Sequence, residues 1–170
     1  QNFGGENIAA CIVEPVAGST GCLVPPKGYL KRLREICNKH GILLIFDEVI
    51  TGWGRTGSAF AAQEWKVTPD IMTMAKATTN GVVPMGVVAV KEEIYDAVMD
   101  ASPKGAVELF HGYTYSGIPV AVAAALAVQD IFEKEDIFNK AKEMSPYFLD
   151  GLFSLKDLDA VDNIRGYGMM

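Results

Sequence analysis

Asp47 and Lys76 stand 29 positions apart, and each closes a short apolar run. Ile42-Leu-Leu-Ile-Phe46 leads into Asp47-Glu48, and Asp70-Ile-Met-Thr-Met-Ala75 leads into Lys76. Glu14 stands 33 positions before Asp47, at the end of a third run, Ile8-Ala-Ala-Cys-Ile-Val13, which Pro15 stops. Runs of this length and apolar content read as core strands. Separations of about one strand-helix-strand unit place the three charged residues on one rim of a parallel sheet, where open α/β sheets bind ligands. A lysine flanked by Met74, Ala75 and Ala77 calls for a partner, a lowered pKa or a covalent adduct, because lysine is among the side chains least often buried.

A carboxylate and an ammonium in one crevice suit a cofactor with an aldehyde and a cationic ring nitrogen, which is pyridoxal 5'-phosphate. Lys76 would bond to the aldehyde, and Asp47 would keep the ring nitrogen protonated so that the ring draws electrons from a substrate Cα. Released by an incoming amine, Lys76 could then carry the Cα proton. Competing readings exist for each residue. By composition alone Lys76 is a surface lysine at a strand end. An apolar strand ending in Asp-Glu also describes the magnesium-binding strand of P-loop nucleotide hydrolases. That reading needs a G-x-x-x-x-G-K-[ST] loop, and Gly18-Ser-Thr-Gly21 is followed instead by Cys22. Glu14 serves a helix cap or a loop salt bridge as readily as a substrate.

The elements that must position these residues follow from periodicity and punctuation. After the loop Val16 to Pro26, a helix from about Lys27 to His40 puts Tyr29, Leu30, Leu33, Ile36 and Cys37 on one face, and Gly41 stops it. The glycine-punctuated loop Thr51-Gly-Trp-Gly-Arg-Thr-Gly57 leads through a short helical segment around Ala59 to Trp65 into the strand before Lys76. Gly52, Gly54 and Gly57 set backbone turns there rather than touching a ligand. Gly86-Val-Val-Ala-Val90 reads as another strand, followed by an amphipathic helix from Lys91 to about Ala101. Pro119 to Lys134 reads as a long helix, apolar nearly all round at its start and therefore expected to be buried. The next helix, Asp136 to Lys156, should be kinked or divided at Pro146. The tail Ala160 to Ile164 is expected to begin a strand of a smaller unit, and without an initiator Met the chain is expected to be an internal piece.

Composition restricts the function classes. The 170 residues are 49% hydrophobic and 21% charged, enough for one sizeable core. A net charge of -6 and a pI near 4.9 argue against nucleic acid or an anionic membrane as partner. Cys11, Cys22 and Cys37 are odd in number and form no C-x-x-C pair, so reduced thiols in a cytoplasmic compartment are expected. His40 and His111 belong to no metal-binding spacing, so no metal is expected.

The span Ile45-Phe-Asp-Glu-Val-Ile-Thr-Gly-Trp-Gly-Arg-Thr-Gly57, followed by Asp70-Ile-Met-Thr-Met-Ala-Lys-Ala-Thr-Thr-Asn-Gly81, resembles the signature of the class III (omega-type) aminotransferases. Glu14-Pro-Val-Ala-Gly18 and His111-Gly-Tyr-Thr-Tyr-Ser-Gly117 resemble two further segments of that family, in the same order. Thr79-Asn-Gly-Val-Val-Pro-Met-Gly86 is similar to the omega-amino acid:pyruvate and β-alanine:pyruvate subgroup.

The resemblance implies an α/β fold-type-I pyridoxal-phosphate transferase, with residues 1–134 in its large domain and 135–170 forming a connecting helix and the start of a small C-terminal domain. It implies transfer of an amino group from an omega-amino acid or amine to pyruvate, or an aminomutase or decarboxylating transaminase on the same scaffold. Lys76 would be the catalytic lysine bonded to the cofactor and Asp47 the partner of its ring nitrogen. Val49, two residues along the same strand face, would pack against the ring, where an ordinary core valine also fits. Thr114 would reach the phosphate of a cofactor held mainly by the neighbouring subunit, so a homodimer is the expected unit. Read without the resemblance, Thr114 is a loop residue between Gly112 and Gly117. Glu14 would lie on the substrate side. Ile118 departs from the polar residue common at its place. The main phosphate-binding turn and the aromatic over the ring would precede Gln1, and the arginine for the substrate carboxylate would follow Met170. The 170 residues alone are therefore expected to be inactive.

Overall fold

Three apolar segments that end in polar residues pair side by side in the computed structural model, which describes residues 4–106 and 114–170. Strand β1 (Ala10–Val13) pairs in parallel with β2 (Leu43–Asp47), and β2 pairs in parallel with β3 (Ile71–Met74). The fourth strand, β4 (Val87–Val90), is antiparallel to β3, giving the order β1-β2-β3-β4. The expected mainly parallel sheet is present, with one reversed strand. The connection Ala75 to Gly86 holds only the short 3₁₀ turn Lys76–Thr78 and no α-helix, the element that usually carries a parallel crossover, and the strand returns antiparallel.

Helix α1 (Tyr29–His40) crosses between β1 and β2, and its apolar stripe makes the core. Leu30 and Cys37 of α1 pack with Ile42, Leu44 and Phe46 of the β2 segment and with Val67. In β2 the buried Leu44 and Phe46 alternate with the half-buried Leu43, Ile45 and Asp47, so Asp47 lies on the face turned away from α1. Gly41 ends α1 in the left-handed conformation at φ +67°, and the N–H of Ile42 donates to the Cys37 carbonyl across 2.9 Å.

Helices α2 (Ala61–Glu64) and α3 (Glu92–Ala101) follow β2 and β4, and α4 (Pro119–Lys134) and α5 (Ile137–Phe153) complete the described chain. Pro119 opens α4, where its missing N–H has no helical partner to lose. Pro146 does not divide α5, which runs through it as one helix, so the loss of one N–H is tolerated within seventeen residues. Nor is α4 buried as its composition suggests. Among the described residues only Ala121 and Val128 are buried, while Val120, Leu126 and Ile131 are exposed, because α5, the turn Lys76–Thr78 and Trp53 cover only part of the helix. Residues Ala160 to Ile164 form no strand, as no neighbouring strand among the described residues offers them a ladder. No described helix is long and apolar enough to cross a membrane.

Candidate active site

Parallel pairing brings the three sequence candidates to one rim. Glu14 follows the last residue of β1, Asp47 is the last residue of β2, and Lys76 follows β3 by two residues. The reversed β4 adds to the same rim, because its first residue, Val87, pairs with Met74 and so carries Pro84 to Gly86 there. Pro84, Met85 and Gly86 line a cleft of about 440 Å³ together with Thr114, Ser116 and Ile118. Thr114 therefore stands beside the rim, at an exposed turn before α4. His111, Gly112 and Tyr113 of the same motif lie outside the described residues.

Asp47 is half-buried and oriented by two donors. Its Oδ1 accepts from the Val49 N–H at 3.0 Å and from the Thr73 hydroxyl at 3.2 Å, and among the described residues no donor reaches its Oδ2. Register places Thr73 opposite Asp47. Sequence reading missed Thr73, since only strand pairing reveals it. Val49 is also placed differently than expected. The strand stops at Asp47, so Val49 lies in the following turn and reaches Asp47 through its backbone rather than by strand alternation. An aspartate bonding the N–H two residues on favours such a turn over continued strand.

Lys76 is exposed among the described residues, contrary to the apolar enclosure that Met74, Ala75 and Ala77 suggest. The chain leaves the sheet at Ala75 and turns through a 3₁₀ segment, Lys76–Thr78, which carries the lysine outward. Its backbone is left-handed at φ +45°, a conformation uncommon outside glycine. No ion pair among the described residues involves it. Glu14 is half-buried and its Oε2 accepts from the Gly18 N–H at 3.0 Å, so it closes its own loop. That loop lies against the next one, because a Cβ on Gly18 would come within 2.8 Å of the Ile50 side chain.

Glu48 is fully buried yet has a structural setting. Its carboxylate accepts from the Thr51 hydroxyl at 2.6 Å and from the N–H groups of Ala61 and Ala62 at 2.9 and 2.7 Å. Burial pushes its carboxyl above the usual range against these bonds, which favour the charged form. The glycine loop thus folds back on the end of β2. Gly54 and Gly57 have φ of +96° and +89°, and a Cβ on Gly52 would come within 2.8 Å of the Glu48 carbonyl, so these glycines serve turns and close approach as expected. A second charged cluster lies at the start of β3, away from the rim. Asp70 accepts from Arg34 and Lys91 at 2.7 Å each and from the Leu44 N–H at 2.7 Å. Burial works to raise its carboxyl, but these partners together hold it down to about 2.

Comparison with known proteins gives the family of the chain. Residues 2–170 match the model of the aminotransferase class-III family. This chain belongs to that family. It is 56% identical to an omega-aminotransferase of Caulobacter vibrioides, over 97% of this chain and 37% of the relative. It is 54% identical to an omega-amino acid–pyruvate aminotransferase of Pseudomonas putida, over 96% of this chain and 37% of that protein. Among solved structures, a thermostable (S)-enantioselective omega-transaminase from Thermomicrobium roseum superposes with a TM-score of 0.90 at 46% identity, over 97% of this chain and 36% of that one. The fold is thus the mixed, helix-flanked sheet of the fold-type-I transaminases, and the chain spans a little over a third of the length of these relatives.

Proposed function

We propose that the whole protein is a pyridoxal-phosphate-dependent aminotransferase that moves an amino group from an omega-amino acid or amine to pyruvate. The observation that carries this reading is the placement of Asp47 and Lys76 at the ends of adjacent parallel strands of a class III chain. Identities of 54–56% to omega-amino acid–pyruvate and related aminotransferases support the choice of substrate class.

The residues present fit the cofactor. Asp47 has one carboxylate oxygen engaged by Val49 and Thr73, and its second oxygen accepts no bond among the described residues. A carboxylate oxygen so placed can accept the hydrogen bond of a protonated ring nitrogen. Lys76 offers an amine on a turn at the same rim, and Thr114 an exposed hydroxyl for a cofactor of the neighbouring subunit. When bound, the cofactor supplies an electron-withdrawing ring that acidifies the substrate Cα. Lys76 would hold it covalently and then, once freed, move a proton at the substrate Cα. Asp47 would keep the ring nitrogen charged, with the Thr73 hydroxyl fixing the carboxylate's orientation. Val49 would lie beside the ring, Thr114 would bind the phosphate from a neighbouring subunit in a homodimer, and Glu14 would border the substrate.

The test uses the full-length protein with pyridoxal phosphate, an omega-amino acid such as β-alanine, and pyruvate. Turnover to alanine is expected, and borohydride reduction should label the peptide containing Lys76. Labelling at another lysine overturns the assignment.

A further inference from the structure

Two bulky residues share a strained backbone near the rim, and one hydrogen bond joins their turns. Trp53 has φ +63° and Lys76 has φ +45°. A non-glycine residue held there is strained and persists only where its surroundings enforce it. Around Lys76 the enforcement is visible. The Trp53 indole Nε1–H donates to the Thr78 hydroxyl at 3.0 Å, and that hydroxyl donates to the Ala75 carbonyl at 3.0 Å. The Thr78 N–H also reaches the Ala75 carbonyl at 3.0 Å, and the Gly81 N–H reaches the Lys76 carbonyl at 3.2 Å. Thr78 is buried, so its hydroxyl has little water to turn to. Trp53 is itself anchored, meeting Phe60 edge-on at 4.8 Å and Phe132 of α4 at 6.0 Å between ring centroids.

We propose that Trp53 is a positioning residue for Lys76: through the Thr78 hydroxyl, its indole N–H holds the turn that fixes where the lysine amine stands. This rests on the reading of Lys76 as the lysine that bonds the cofactor. The indole bond adds a third fixed point to the hydroxyl, which its own bond to Ala75 already orients along the turn. Phenylalanine at position 53 would keep the aromatic packing and lose only the N–H. Small displacements of a reacting group cost large factors in rate, so the effect should fall on chemistry rather than on substrate affinity.

The experiment compares full-length wild type with Trp53→Phe, Thr78→Val, Thr78→Ser and the Trp53→Phe/Thr78→Val pair. Trp53→Phe is expected to lower kcat roughly tenfold with KM for the amine changed by less than about twofold. The pH midpoint of the lysine-bound cofactor's absorbance should also move. Thr78→Val should reproduce this, the pair should add little to either, and Thr78→Ser, which keeps the hydroxyl, should stay near wild type. In the cofactor-free protein the amides of Thr78 and Gly81 should exchange about tenfold faster in Trp53→Phe. Wild-type kcat, midpoint and exchange in Trp53→Phe, or full additivity in the pair, overturn the proposal. Borohydride labelling of the wild type away from Lys76 overturns the parent reading instead, and the exchange data still decide whether Trp53 holds the turn.

Discussion

The Thr73 hydroxyl on β3 donates to Asp47 Oδ1 at the end of β2 across 3.2 Å, so the carboxylate is aimed by its neighbouring strand. The Val49 N–H binds the same oxygen at 3.0 Å. The two bonds together fix the direction in which the carboxylate points.

Replacing Asp47 with Ala should leave the covalent bond between Lys76 and the cofactor intact but slow removal of the substrate Cα proton by about 10²-fold or more. Thr73→Val should cost about tenfold, since it loses one hydrogen bond to a charged group. Single-turnover kinetics with Cα-deuterated amine would check both, with a larger isotope effect in each variant. Equal rates in Thr73→Val and wild type would remove Thr73 from the account.

Lys76→Ala should abolish borohydride-stable labelling and the absorbance of the lysine-bound cofactor, while the cofactor still binds without a covalent bond. Mass spectrometry of the reduced, digested protein reads this directly. The 170 residues alone should show no transaminase activity in a β-alanine and pyruvate assay.

Glu48→Ala leaves the Thr51 hydroxyl and two backbone N–H groups at Ala61 and Ala62 without their acceptor in a buried place. A loss of about 3 kcal/mol is expected in urea unfolding. Because burial raises the Glu48 carboxyl, folding favours its protonated form. Its contribution therefore fades as pH rises through that raised value. Glu48→Gln, always neutral, should lack that slope.

Asp70 gives the opposite sign. Its carboxyl is lowered from 3.8 to about 2, so its contribution is present above pH 4 and disappears as pH falls through about 2. The shift corresponds to about 2 kcal/mol. Asp70→Asn should lose at least that much at pH 7, leaving Arg34 and Lys91 without their common partner. The gap between wild type and variant should close as urea titrations approach pH 2. A gap that is constant with pH would contradict this.

Gly168→Ala should release the segment that returns to the glycine loop. A Cβ there would run into the Arg55 carbonyl, at a φ of +61°. The Met169 N–H donates to that same carbonyl at 2.7 Å, and the Tyr167 hydroxyl donates to Glu64 at 2.7 Å, where burial and the carboxylate together raise the phenol pKa. Trypsin should cut after Arg165 at least several times faster in the variant, as the docked backbone opens.

Much of this was legible in the residues themselves. Strand ends at Glu14, Asp47 and Lys76 follow from apolar runs broken by proline or by charge, which are local signals. Gly41 and Pro119 mark helix ends for equally local reasons of backbone geometry. The family signature spans the same segments. The burial of α4 was misread, because a helix apolar on many sides shows what it could bury but not which neighbours it meets.

The sequence by itself determined the strands and helices around the rim and which chemical groups stand near their ends, because propensity, periodicity and turn residues act over a few positions. Only the tertiary structure decided that Thr73 serves Asp47 and that Trp53 reaches Thr78 beside an exposed Lys76. Those outcomes depend on strand register and loop docking between distant segments, which pairing and packing select and no local pattern encodes.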